Sequence, residues 1–311
     1  MSEQKNILII RLGALGDVIL QSGWIFAVRE KYPDAHITFM TRKPFASFIK
    51  CIPFIDRVIV DTHPRYNLKE WWKICKTEIA DKKWDYIFDL QASNRTRKKY
   101  FNFARFLTKY NMRWAYLSKK HLIVNQVEKK HRFSFGKLTQ KQLDLEPKAV
   151  DLSFVKGEQK NFHLLPKKPF LLIIPGCSAS HPYKRWPAQK YLELVLKAEK
   201  NGIPSVVLGT NAEKEQIDII CQNSKAVNFL NKASLLDIPA LASKSAVIVG
   251  NDTGPVHMSC FSKRPAIVLF CQKTAGSAND LPNVTNLIAK DISDISVEQV
   301  WNEIEKNMGK K

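Results

Sequence analysis

Three short stretches combine small residues, hydroxyls and charges at spacings that suit anion binding or proton transfer. The first is Arg11-Leu12-Gly13-Ala14-Leu15-Gly16-Asp17. Glycines after an apolar run let backbone N–H groups approach an anion, and Asp17 falls where the next helix starts. An acid at that point is either a first-turn partner of the helix N-terminus or a base offered to a substrate. The spacing is G-x-x-G without a third glycine, so the dinucleotide-binding fingerprint is incomplete. The second stretch is Pro175-Gly176-Cys177-Ser178-Ala179-Ser180, followed by Lys184-Arg185-Trp186-Pro187. Hydroxyls, free backbone N–H groups and adjacent cations suit a diphosphate, although an ordinary solvated loop would read the same way. The third runs from Gly250 through Asn251, Asp252, Thr253 and Gly254 to His257, a polar turn that again offers N–H groups to an anion.

The elements around these stretches alternate. Asn6–Ile10 is a continuous apolar run, as a parallel strand buried on both faces requires. A helix follows from Asp17 to about Lys31, then strand and helix segments in turn up to the strand Tyr86–Leu90. Residues 95–160 are basic and carry no clear pattern. The segment Lys156–Lys168 is polar and ends in Pro166-Lys167-Lys168-Pro169, a plausible linker. A second alternation starts with the strand Phe170–Ile174 and ends with the helix Val297–Asn307. Such alternation implies right-handed crossovers and parallel sheets, so the fold class is α/β with two Rossmann-like domains, residues 1–160 and 161–311. Each of the three polar stretches follows a strand, where α/β sheets bind ligands.

The 311 residues hold 49 Lys and Arg against 29 Asp and Glu, a formal net charge of +20. The excess is concentrated: Arg95–Lys141 carries fourteen basic residues and one acid, Glu128. Such a field favours polyanions, whether nucleic acid, an anionic membrane surface or a phosphorylated glycolipid. The six cysteines form no C-x-x-C pair and no ligand spacing, so they read as reduced thiols without a structural metal. No apolar run approaches the roughly 20 residues that span a bilayer, and the first apolar segment is too short for a signal peptide. The expected location is the cytoplasm.

Taken together, the motifs resemble those of glycosyltransferase family 9, the lipopolysaccharide heptosyltransferases. The resemblance rests on R-x-G-A-L-G-D-V-I-L from Arg11 to Leu20, Tyr32-Pro33-Asp34-Ala35, Phe54-Ile55-Asp56-Arg57-Val58 and Asp89-Leu90-Gln91. It continues in the Pro-Gly-x-Ser loop with Lys184-Arg185-Trp186-Pro187 and in Asp252-Thr253-Gly254-x-x-His257. Residues 95–160 match poorly. The resemblance implies the GT-B fold, two Rossmann-like domains facing a central cleft, with acceptor bound by the first and donor by the second. It implies inverting, metal-independent transfer of a sugar from a nucleotide diphosphate, typically ADP-heptose, to a lipopolysaccharide core acceptor. No D-x-D motif speaks for a metal, and no cofactor is expected.

By the same resemblance Asp17 is the general base. Ser178, Ser180 and Lys184 meet the donor diphosphate, Thr253 and Gly254 supply further donors, and Asp252 and His257 shape that turn. Asn228 stands where the family often has an acid for the ribose, which leaves another nucleotide sugar as the alternative. Arg11, Gly13, Gln91 and Arg95 fall on the acceptor side. The partners implied are the nucleotide sugar, an anionic glycolipid and the anionic cytoplasmic face of the inner membrane, met peripherally by a monomer. In the basic segment, Arg95, Arg97, Lys98, Lys99, Arg105 and Lys109 would face that membrane, with Phe101, Phe103 and Phe106 as shallow anchors. A basic nucleic-acid-binding protein is the competing reading from another class. It would use Phe101, Phe103, Tyr110 and Trp114 for stacking, but it leaves the three anion-binding stretches unexplained. A nicotinamide-dependent enzyme is disfavoured by the incomplete glycine fingerprint.

Overall fold

The computed structural model describes residues 4–20, 22–62, 68–110, 112–118, 121–128, 131–139, 145, 152–178, 180–278 and 281–309. The chain divides into two units, Met1–Val150 and Asp151–Lys311. This division falls ten residues before the expected one at 160/161, because the intervening stretch is part of the second unit's core. Leu152 and Val155 are buried, and the Gln159 N–H donates to Asp237 Oδ1 at 2.8 Å.

The first unit opens with β1 (Asn6–Ile10), whose Ile7 to Ile10 are fully buried. Helices α1 (Leu15–Leu20) and α2 (Ser22–Lys31) follow, over the span where the sequence predicts a helix. Then come β2 (His36–Arg42), α3 (Ala46–Lys50), β3 (Arg57–Asp61), α4 (Leu68–Lys73) and β4 (Tyr86–Asp89). Helix α4 continues as a wider π-type turn over Ile74–Ala80. After β4, a π-type turn at Arg95–Tyr100 leads into α5 (Phe101–Leu107) and strands β5 (Met112–Ser118), β6 (His121–Glu128) and β7 (His131–Thr139).

The sheet order is β3-β2-β1-β4-β5-β6-β7. Pairing is parallel from β3 to β5, as the alternation predicts, and antiparallel between β5, β6 and β7. The basic segment thus departs from the all-parallel expectation by adding a meander to the sheet edge. Two residues separate β5 from β6 and two separate β6 from β7, and so short a connection joins strands only in antiparallel fashion. Lys119, Lys120, Lys129, Lys130 and Lys141 lie outside the described residues, as do the side chains of Arg97 and Lys98.

In the second unit, strands β8 (Leu171–Ile174), β9 (Ser205–Gly209) and β10 (Val227–Leu230) alternate with α6 (Ala188–Lys200) and α7 (Lys214–Gln222). They are followed by α8 (Ile238–Lys244), β11 (Val247–Asn251), α9 (Gly254–Cys260), β12 (Ala266–Cys271), β13 (Val284–Ala289) and α10 (Val297–Met308). The sheet is wholly parallel in the order β10-β9-β8-β11-β12-β13. Strands β8, β11 and β12 are buried throughout, which explains their apolar sequences, interrupted by a polar side chain only at Asn251.

In both units the order reverses beside the first strand, between β1 and β4 and between β8 and β11. A doubly wound sheet opens a crevice at the carboxyl ends of those two strands. The loop after β1 therefore meets Asp89-Leu90-Gln91, and the loop after β8 meets Asn251-Asp252-Thr253. Motifs about 75 residues apart in the chain become neighbours.

Candidate functional site

At the first switch point Arg11 is buried at 7% exposure. Its Nη1 donates to Leu90 O at 2.7 Å, and its Nη2 pairs with Asp17 Oδ2 at 2.7 Å. Burial works against the Arg11 charge and lowers its pKa, while Asp17 and Asp89 pull in the opposite direction. Asp17 lies in the first turn of α1, where its Oδ2 also accepts the Ala14 N–H at 3.1 Å. It thus serves the helix start, as one reading of the sequence has it. Its side chain is nevertheless 52% exposed, and Oδ1 makes no hydrogen bond among the described residues.

Gly13 adopts φ +131°, and a Cβ there would stand 2.5 Å from the Phe45 ring and 2.9 Å from Arg42 Nη2. Only glycine fits. Arg42 Nε in turn donates to Leu12 O at 2.7 Å, and Gln91 Oε1 accepts the Leu12 N–H at 2.9 Å. Gln91 thereby ties the β4 turn to the β1 loop. Arg95 is held differently: its guanidinium donates twice to buried Asp61, at 2.9 and 3.1 Å, and once to Tyr100 Oη at 2.8 Å. The structure brings Arg11, Gly13, Asp17 and Gln91 together and leaves Arg95 engaged with the end of β3.

At the second switch point the hub is a residue that sequence reading did not single out. Asn251 ends β11 fully buried. Its Nδ2 donates to Pro175 O at 2.7 Å and Gly176 O at 3.2 Å. Its Oδ1 accepts from Trp186 N at 3.2 Å and Tyr191 Oη at 2.9 Å. One amide thus locks the Pro-Gly loop, the Lys-Arg-Trp turn and helix α6 to the strand. The signal for it is an amide closing an otherwise apolar buried strand.

Next to it Asp252 Oδ2 accepts from Lys184 Nζ at 2.6 Å, and Oδ1 lies 2.8 Å from His257 Nε2. Burial disfavours the Asp252 charge, but these two partners outweigh it and hold the pKa below the ordinary carboxylate range. Lys184 itself is 21% exposed. Thr253 caps helix α9, which Gly254 opens. Thr253 Oγ1 and His257 Nδ1 are buried without a hydrogen-bond partner among the described residues. Ser178 and Ser180 share a hydrogen bond at 2.8 Å, and Ser180 Oγ lies 2.8 Å from His181 Nδ1. Asn228 lies on β10, and its Oδ1 accepts the Leu230 N–H at 2.9 Å. Ser178, Ser180 and Lys184 follow β8, and Asp252, Thr253 and the first turn of α9 with Gly254 and His257 follow β11.

The sequence matches glycosyltransferase family 9 (heptosyltransferase) over residues 103–308. The chain belongs to this family. Among its relatives, the lipopolysaccharide core heptosyltransferase OpsX of Haemophilus influenzae is 21% identical over 92% of this chain and 84% of its own. Lipopolysaccharide heptosyltransferase 1 of Campylobacter coli is 25% identical over 85% and 83%. A family 9 glycosyltransferase from Veillonella parvula superposes with a TM-score of 0.77 at 18% identity, covering 99% of this chain and 98% of that one. The E. coli heptosyltransferase WaaC, solved with ADP-2-deoxy-2-fluoro heptose, gives 0.69 at 17% identity, covering 97% and 99%. The fold is GT-B and the chain is a glycosyltransferase.

Among the described residues no helix is long and apolar enough to cross a membrane. Two of the expected membrane anchors are corrected. Phe101 is 8% exposed and packs edge-on against Trp114 at 5.2 Å, so it belongs to the core. Phe103 is packed against Trp71 and Trp72. Phe106 is 53% exposed, and the structure adds Trp72 at 41%. Trp114 is fully buried and Phe101 nearly so, which removes two of the aromatics that base stacking would need.

Proposed function

We propose that this glycosyltransferase moves a heptose from ADP-heptose to a lipopolysaccharide core acceptor, with inversion and without a metal. The observation that carries the reading is the Lys184–Asp252–His257 chain at the end of β11. Buried Asp252 fixes Lys184, and the remaining ammonium protons are free to meet a diphosphate. The unpartnered Thr253 hydroxyl beside it is a further donor. As the sugar–phosphate bond breaks, negative charge grows on the leaving diphosphate, and fixed donors stabilise it in place of a metal ion.

Asp17 is the base. Arg11 and the Ala14 N–H hold one carboxylate oxygen; the other takes the proton of the acceptor hydroxyl as the hydroxyl oxygen attacks the anomeric carbon and the nucleoside diphosphate leaves. The name and bound ligand of the E. coli relative support ADP-heptose as donor, and the relatives' names support the core acceptor. The enzyme works in the cytoplasm and approaches its lipid-linked acceptor at the anionic inner membrane from solution. Basic and aromatic residues of the first unit support that approach.

The test is transfer itself. Purified protein, ADP-heptose and a heptose-deficient core acceptor should yield ADP and a glycoside of inverted anomeric configuration, at the same rate with EDTA present. Turnover with UDP-sugars but not ADP-heptose would replace the donor. Loss of turnover in EDTA, restored by a divalent cation, would overturn the metal-independent mechanism.

A further inference from the structure

Asp89 closes β4 with no exposed surface. Its Oδ1 accepts the N–H groups of Gln91 at 3.1 Å and Ala92 at 2.8 Å. Its Oδ2 is buried without a hydrogen bond. The residue beside it in register is Ile10, so Arg11 emerges next to it. Arg11 pairs directly with Asp17, and Asp89, one register position away, adds a weaker attraction that favours the guanidinium charge. Two further bonds bind the same segments, Arg11 to Leu90 O and Leu12 N to Gln91 Oε1.

A buried carboxylate is costly to keep charged, and burial pushes the Asp89 carboxyl up to about 6. An amide at this position would satisfy the same two N–H groups without that cost. The carboxylate does one thing the amide cannot: it draws the guanidinium inward.

Resting on the role given to Asp17 above, we propose that Asp89 is a positioning residue for the transfer reaction. Its charge seats Arg11 against the β4 turn, and Arg11 in that seat holds Asp17 Oδ2 so that Oδ1 points to the acceptor. The charged groups facing it are Arg11 and, beyond Arg11, Asp17. Thr96 and the indole N–H of Trp114 are its polar neighbours and favour the ionised form. Tyr116 stands opposite it in β5.

The experiment is kcat for sugar transfer against pH, from 5 to 8, in wild type and Asp89→Asn. Wild type should lose activity as pH falls through about 6, with donor KM little changed. Asp89→Asn, which keeps the Oδ1 acceptor, should be slower by on the order of 10- to 100-fold in kcat at pH 8, the scale of a misplaced reacting group. It should also lack the acid limb. A variant with wild-type kcat and the same acid limb overturns the proposal. The wild-type titration needs no substitution, so a variant that fails to fold does not decide the matter.

A wild type that transfers nothing from ADP-heptose fails the functional reading instead. Amide exchange at Ala14, whose N–H is bonded to Asp17, then decides on Asp89. Faster exchange in Asp89→Asn, or in wild type below pH 6, supports the seat. Unchanged exchange in both removes it.

Discussion

The two switch points solve one problem with opposite signs. In the first unit the cation is buried and the acid is presented: Arg11 is 8% exposed in its side chain and Asp17 is 52%. In the second the acid is buried and the cation is presented: Asp252 is 4% exposed and Lys184 is 21%. Each pair is close, at 2.7 and 2.6 Å, and each is anchored by strand-end polar groups. A buried member must have its hydrogen bonds supplied by protein, whereas a presented member keeps some for a ligand. Inverting which partner is buried inverts the charge offered. Under the proposed function, the first unit would offer a carboxylate to a hydroxyl and the second an ammonium to a diphosphate.

The sharpest way to break this comparison is to remove the presented charge. Asp17→Asn keeps the acceptor for the Ala14 N–H and so keeps the helix start. It removes the proton acceptor, and kcat should fall by roughly 10²- to 10⁴-fold, with ADP affinity near wild type. Steady-state kinetics beside a nucleotide titration separates the two effects. Near-normal transfer would leave Asp17 with its helix alone. In the second unit Lys184→Ala should weaken ADP binding by about 1.5–3 kcal/mol, the range of a charge-assisted hydrogen bond. Calorimetry reads it directly, and equal affinity in the variant would take Lys184 out of the donor site.

Removing the buried member acts on stability as well. The Asp252 carboxyl is held below its ordinary range despite burial, by His257 and Lys184. A depressed native pKa means that the unfolded chain takes up a proton first as pH falls. The Asp252 contribution is therefore present above the ordinary carboxylate pKa, about 3.9. It is lost as pH drops through the lower native value. Asp252→Asn should destabilise the second unit by about 1–3 kcal/mol at pH 7, because Lys184 loses its charge partner. It should also flatten the decline of stability below pH 4. Asp89 has the opposite sign: its raised pKa makes its contribution largest at low pH and lost as pH rises through about 6. Urea unfolding of Asp252→Asn and Asp89→Asn across pH 3–8 would show the two signs, and parallel profiles would break the distinction.

Much of this was legible in sequence because α/β strands announce themselves. Runs such as Ile7–Ile10 and Leu171–Ile174 are buried on both faces and carry no polar residue. The polar residues that interrupt the pattern therefore mark the strand ends, where ligands bind. Asp17, Lys184 and the Asp252-to-His257 turn become candidates in this way. Asn251 is hidden because its four hydrogen bonds join segments up to 76 residues away, which no local pattern reveals. Arg95 misleads for the same reason, since Asp61 lies 34 residues before it. The meander β5–β7 is missed because its strands mix apolar and polar residues without a clean alternation, and the lysine pairs between them make the segment read as merely basic. Phe101 and Phe106 are alike in sequence, and only the position of α5 against Trp114 sends one inward.

Apart from both switch points stands the surface around Phe106 and Trp72. Lys69 and Lys73 flank Trp72 along α4, all three exposed, and Trp72 packs edge-on against Phe103 at 5.2 Å. Phe106 lies one turn beyond Phe103 on α5, with the Arg105 guanidinium 5.1 Å from its ring centre. Lys99 and Lys109, at either end of that stretch, are exposed. Two aromatic rings set among cations suit the headgroup layer of an anionic bilayer, where each Lys or Arg contributes about 1 kcal/mol within a Debye length. Vesicle co-sedimentation should therefore show binding to anionic but not zwitterionic liposomes, lost at high salt. Lys73→Glu/Lys109→Glu should weaken it by about 2 kcal/mol or more, since each change removes one cation and adds one anion. Trp72→Ala should weaken it even at low salt, because the ring's contribution is apolar and unscreened. In solution, transfer to a detergent-free soluble acceptor should be unaffected by either change, which separates lipid docking from the two switch points. Equal binding to both liposome types, or none to either, would leave these residues as surface only.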